Sequence, residues 1–123
     1  MENIKVLVID DDLMTCSLLE TILQMENYQT ASVNSIENIL SLLNKEKPHI
    51  LILDFYLGSK ETLDQVPIIR ADIDWQHLPI LMTSAIDRRQ DCLNAGATGF
   101  ILKPFNWQEM TKVINKIRDD LLG

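Results

Sequence analysis

Cysteine and histidine are scarce in this chain, two of each among 123 residues. Cys16 and Cys92 lie far apart and match no metal-binding spacing, so a reduced, cytoplasmic protein is the expectation. Both thiols read as small helix residues. Basic residues are also few, 11 against 18 acidic, giving a net charge of −7. That balance argues against direct nucleic-acid binding, which needs a basic face for the phosphates. No apolar run approaches the ~20 residues of a membrane span, and Glu2 and Asn3 do not make a signal peptide. Glycine and proline number only four each, and there is no repeat, low-complexity tract or linker. The length and a hydrophobic content of 46% predict one domain, 1–123, with one core.

What is present is a set of short apolar runs that end in polar residues. The clearest is Ile50-Leu51-Ile52-Leu53-Asp54. Four branched residues without polar alternation predict a strand buried on both faces. A carboxylate at its end must lie where the strand leaves the sheet, because an unpaired buried charge is costly. Ile4 to Ile9 repeats the pattern and runs into Asp10, Asp11 and Asp12. Tyr28 to Val33 is a weaker strand. Ile80 to Met82 leads to Thr83 and Ser84, and Gly99 to Leu102 leads to Lys103-Pro104.

Helical patterns fill the intervals. Met14, Leu18, Leu19, Ile22 and Leu23 form one apolar stripe. Ile36, Ile39, Leu40 and Leu43 form a second, with Asn34 and Glu37 placed as a capping box. Asp87 with Gln90 predicts a helix start, and Gly96 its stop. Asn106 with Glu109 caps a last helix with the stripe Trp107, Met110, Ile114, Ile117 and Leu121. Between Phe55 and Leu78 the pattern is poor. Gly58 and Ser59 predict a turn, and a short helix is expected near Ile68 to Ile73, with Pro67 either breaking or opening it.

Five strands alternating with five helical segments imply an α/β fold, a parallel sheet with helices on both faces. In such folds ligands bind at the carboxyl ends of the strands. Asp10, Asp11, Asp12, Asp54, Thr83, Ser84 and Lys103 then share one edge. His49 and His77 precede their strands and fall at the opposite edge, away from any chemistry. Clustered carboxylates with no nearby His or Cys favour a hard cation, Mg²⁺, over zinc or copper. A metal-neutralised carboxylate beside a lysine and a hydroxyl is suited to accept a phosphoryl group.

Four stretches, VLVIDDD (Val6 to Asp12), ILILDFYLG (Ile50 to Gly58), LPILMTSA (Leu78 to Ala85) and AGATGFILKPF (Ala95 to Phe105), resemble the receiver domain of two-component response regulators. The resemblance covers nearly the whole chain. It implies a flavodoxin-like (βα)5 three-layer sandwich with strand order 2-1-3-4-5. It makes Asp54 the phosphoacceptor in a phosphorelay, fed by a histidine kinase or a histidine phosphotransfer protein. Asp10 and Asp11 match the acidic pair, Asp11 as the more direct Mg²⁺ ligand, with Asp54 and the Tyr56 backbone carbonyl completing the set. Asp12 extends the cluster without being a ligand. Lys103 matches the phosphoryl-contacting lysine, followed by a typically cis proline bond. Ser84 matches the hydroxyl position and Phe100 the aromatic switch.

The output implied is a downstream effector domain or protein, with no membrane contact. The fourth helix, fifth strand and fifth helix form the expected partner face, which would also serve a homodimer. The resemblance implies a signalling domain that assists only its own phosphorylation and dephosphorylation, not an enzyme in the ordinary sense. Two features depart from the family pattern: Gly58 stands where proline is frequent, and no Asp-Gly pair occurs between Ser59 and Val66. A haloacid-dehalogenase-like phosphatase using Asp10 and Asp12 is the alternative, but Met14 stands where that motif wants Thr or Val. A receiver-like interaction module that is never phosphorylated is the other.

Overall fold

A computed structural model describes residues 3–123. Met1 and Glu2, on which the reading of the leader partly rests, lie outside the described residues. The elements in chain order are β1 (Lys5–Ile9), α1 (Leu13–Met25), β2 (Gln29–Val33), α2 (Ile39–Glu46) and β3 (Ile50–Asp54). A small hairpin of β4 (Tyr56–Leu57) and β5 (Lys60–Glu61) follows, then α3 (Gln65–Ala71), β6 (Ile80–Ser84), α4 (Arg89–Ala95), β7 (Gly99–Leu102) and α5 (Trp107–Leu122). The main sheet is parallel throughout, in the order β2-β1-β3-β6-β7. This is the expected 2-1-3-4-5 topology, with the hairpin taking two numbers between the third and fourth sheet strands.

Alternation along the strands builds two cores. Leu7, Ile9, Leu51, Leu53, Ile80 and Met82 face α2, α3 and α4, where Ile39, Leu43, Val66, Ile69 and Cys92 meet them. Val6, Val8, Ile50, Ile52, Leu81 and Ile101 face α1 and α5, packing on Leu19, Leu23, Met110, Ile114 and Ile117. Every residue of β3 is buried, as its unbroken apolar run requires.

Local chemistry sets the helix ends, in places differently from expectation. The cap of α2 is Asn38, whose side chain accepts from the Ser41 amide at 3.0 Å, and not Asn34. Ile36 packs on the core from the loop ahead of that helix, so the apolar stripe starts before the helix does. Helix α3 begins earlier than Ile68. Pro67 sits in its first turn, where the missing N–H has no intrahelical partner to lose. Gly96 ends α4 at φ 112°, and Asn106 caps α5 by accepting from the Glu109 amide at 2.7 Å. The Asp87 carboxylate accepts from the Arg89 amide at 3.1 Å, but the cap residue of α4 is Arg88. Two stripes are narrower than predicted: Met14 and Leu18 of α1, and Trp107 and Leu121 of α5, are exposed.

Candidate functional site

Parallel strands end together, so the polar residues that follow them converge at one edge. Asp10 follows β1, Asp54 ends β3, Ser84 ends β6 and Lys103 follows β7. The neighbouring register pairs Asp54 with Thr83. Asp10 and Asp54 are both buried, at 2% and 7% exposure, which is rare for carboxylates without partners. Their partner is Lys103, whose Nζ lies 2.8 Å from Asp10 Oδ2 and 3.3 Å from Asp54 Oδ2. A single ammonium thus serves two buried acids.

One ammonium against two buried carboxylates leaves Asp54 hard to ionise. Burial raises its pKa from 3.8 to about 6; the Asp10 charge adds to the rise, and Lys103 only partly offsets it. Burial works against the Lys103 ammonium too, but its bonds to Asp10 and Asp54 outweigh that and hold its pKa above the ordinary value.

Asp11 joins from the exposed rim. One carboxylate oxygen from each of Asp10, Asp11 and Asp54 lies within 4.8 Å of the others. Asp11 Oδ2 also accepts from the Gly58 amide at 2.7 Å, so the hairpin turn closes onto it. Gly58 takes φ 64°, a conformation that suits glycine. The donor set is all oxygen and carries more negative charge than Lys103 can balance, which fits a hard divalent cation. Asp12 stands apart. It caps α1, accepting from the Met14 amide at 3.1 Å and the Thr15 hydroxyl at 2.8 Å.

Ser84 ends β6 at the same edge, whereas Phe100 lies within β7, opposite Met82. The Ser84 side chain is buried and its Oγ accepts from the Ile86 amide at 3.1 Å, leaving the hydroxyl proton to donate elsewhere. The Phe100 ring is buried in the core with the Arg89 guanidinium 5.5 Å from its centroid. The Lys103-Pro104 bond is cis. The histidines stay away from the edge; His49 Nδ1 accepts from the Lys5 amide at the far end of the sheet.

A model of the response regulator receiver domain matches residues 6–115. The chain belongs to that family. Receiver domains are the signalling modules of two-component response regulators, not classical enzymes, and bind Mg²⁺ at their acidic pocket. This chain is 30% identical over 120 residues to the probable transcriptional regulator ycf27 of Porphyridium aerugineum, covering 95% of this chain and 49% of that one. It is 29% identical over 109 residues to the nisin biosynthesis regulatory protein NisR of Lactococcus lactis, covering 86% and 46%. The receiver thus spans about half the length of the curated relatives it matches. A putative response regulator from Chloroflexus aurantiacus has the same fold, with a TM-score of 0.85, 28% identity and coverage of 94% and 97%. No helix among the described residues is long and apolar enough to cross a membrane.

Two contributors to this receiver's site were missed in the sequence. Thr62 is buried and donates to the Asp54 carbonyl at 2.8 Å, tying the hairpin's end to β3. Arg88 lies over the Phe55 ring, 4.5 Å from its centroid. Thr62 falls in the stretch with no readable period. Arg88 looks like any charged residue ahead of a short helix, so no local signal distinguishes it.

Proposed function

We propose that Asp54 is the phosphoacceptor of a two-component phosphorelay, charged by a histidine kinase or a histidine phosphotransfer protein in the cytoplasm. The observation that carries this reading is a buried carboxylate at the end of the central strand, with Lys103 3.3 Å away and two more carboxylates around it. An Asp54 oxygen forms the new bond to phosphorus while the donor's bond to phosphorus breaks, its electron pair leaving with the donor nitrogen. Lys103, held by Asp10, faces the charge that gathers on the phosphoryl oxygens. The Ser84 hydroxyl supplies a neutral donor.

Mg²⁺, held by Asp10, Asp11, Asp54 and the Tyr56 backbone carbonyl, would screen the acidic cluster against an incoming anion. The alternative phosphatase use of Asp12 is disfavoured by the commitment of that carboxylate to the start of α1.

Output would run through α4, β7 and α5. A phosphoryl group on Asp54 gives Ser84 a charged acceptor, a bond worth ~1.5–3 kcal/mol, which can bias a two-state equilibrium by one to two decades at most. Ile86, Leu93 and Leu102 are exposed apolar residues in or beside these elements, as a downstream effector or a second copy of the receiver would require. Incubation with Mg²⁺ and acetyl phosphate should add one hydroxylamine-labile phosphate, read by intact mass. Equal labelling of Asp54→Asn would overturn the assignment.

A further inference from the structure

We propose that Arg88 is a positioning residue that couples the acceptor loop to the start of α4, a link separate from Ser84 and Phe100. It rests on the reading of Asp54 as acceptor. By its backbone Arg88 is the cap residue of α4, but its own side chain makes no cap bond; the Arg89 amide is taken by the Asp87 carboxylate instead. Its side chain points the other way, toward the segment that follows Asp54. The guanidinium covers the fully buried Phe55 ring, and Nη1 lies 3.5 Å from the Tyr56 hydroxyl. Nη2 is 3.9 Å from Glu61 on the second strand of the hairpin. Nε is 3.1 Å from Asp91 in the first turn of α4, close enough for charge attraction but not aligned as a hydrogen bond.

The contacts therefore form a bridge with identifiable ends. Phe55 and Tyr56 directly follow the acceptor, their rings stack edge to face at 4.8 Å, and the hairpin turn holds Asp11 through Gly58. At the other end the same residue is covalently joined to the first residue of α4. Any change at Asp54 or Asp11 that moves Phe55, Tyr56 or Glu61 alters the contacts of Arg88, and so the anchoring of α4. A planar guanidinium suits this because it stacks on a ring while its edge pairs with carboxylates. The pairs with Glu61 and Asp91 are partly solvated and contribute little to stability on their own. Their value is in coupling.

The test is amide chemical-shift mapping of the wild type and of Arg88→Met with Mg²⁺ and beryllofluoride. Methionine keeps apolar packing on Phe55 and removes the charge and the fork. In the wild type, residues 56–61 and 89–95 should shift together. In Arg88→Met the 56–61 shifts should persist while those of 89–95 fall by more than half. A merely structural role would change the apo spectrum without splitting the two responses. Should Arg88→Met fail to fold, Glu61→Gln at an exposed position should produce the same split in weaker form. If 89–95 respond equally in the variants, or not at all in the wild type while 56–61 shift, the coupling is refuted and the acceptor role stands. Silence of both regions in the wild type would overturn the acceptor reading and this inference with it.

Discussion

Replacing Asp54 with asparagine should stabilise the metal-free protein at neutral and alkaline pH. The native state holds the Asp54 proton to about pH 6, against 3.8 for an unperturbed group. Each pKa unit corresponds to about 1.4 kcal/mol, so the ionised carboxylate costs the native state about 3 kcal/mol near pH 8. Because the native pKa is the raised one, the folded protein binds more protons between the two values. Stability therefore falls as pH rises through that window, and below about pH 4 the effect is largely gone. The amide side chain would keep the shape and abolish the cost, and Lys103 retains its 2.8 Å bond to Asp10. The expected gain is about 3 kcal/mol near pH 8, on the order of 10 °C in Tm for a domain of this size. Near pH 4 it should shrink to about half a kcal/mol. Urea titrations with EDTA at both pH values measure it. Saturating Mg²⁺ should narrow the gap by stabilising the wild type more than the variant. A variant no more stable near pH 8, or one with the same advantage near pH 4, would refute the claim that burial of this carboxylate stores the energy.

Lys103→Met removes the one cation shared by two buried acids and should cost about 3 kcal/mol near pH 8 in urea melts, with much of the loss recovered in the double variant with Asp54→Asn. Burial raises the Cys16 thiol and pushes Cys92 up to about 11, so neither should react with a thiol reagent near pH 8 until urea unfolds the chain. Gly96→Ala should destabilise by about 1–2 kcal/mol, since φ is +112° and the new Cβ would sit 3.3 Å from Arg70 Cγ. Asn106→Ala should cost about 1 kcal/mol and increase exchange of the first-turn amides of α5.

The fold was legible because its signals are local. Short unbroken apolar runs at β1, β3 and β6, each ending in polar residues, fit strands buried on both faces, and alternation with helices makes the sheet parallel. Parallel strands share one carboxyl edge, so Asp10, Asp54, Ser84 and Lys103 were bound to meet once the strands were found. The same local reading located Gly96 and Asn106. It failed at Asn34, where a capping pattern carried no information on whether Ile36 would pack from a loop or from the helix. It also failed at Met14, Leu18 and Trp107, whose spacing matches the apolar stripe of their helices although the fold leaves them exposed.

Only the tertiary structure decided the chemistry of the edge. Lys103 contacts Asp10 across 93 positions and Asp54 across 49, and Gly58 reaches Asp11 across 47. The raised pKa of Asp54 is a sum over burial, one cation and a second carboxylate, each supplied by a different segment. Apart from Asp91, three residues on, Arg88 acquires its partners only when the hairpin folds back beside α4. Strand polarity brings polar residues to a common edge from pattern alone. Their distances, desolvation and pairing depend on every segment that arrives there, and no window of sequence contains them.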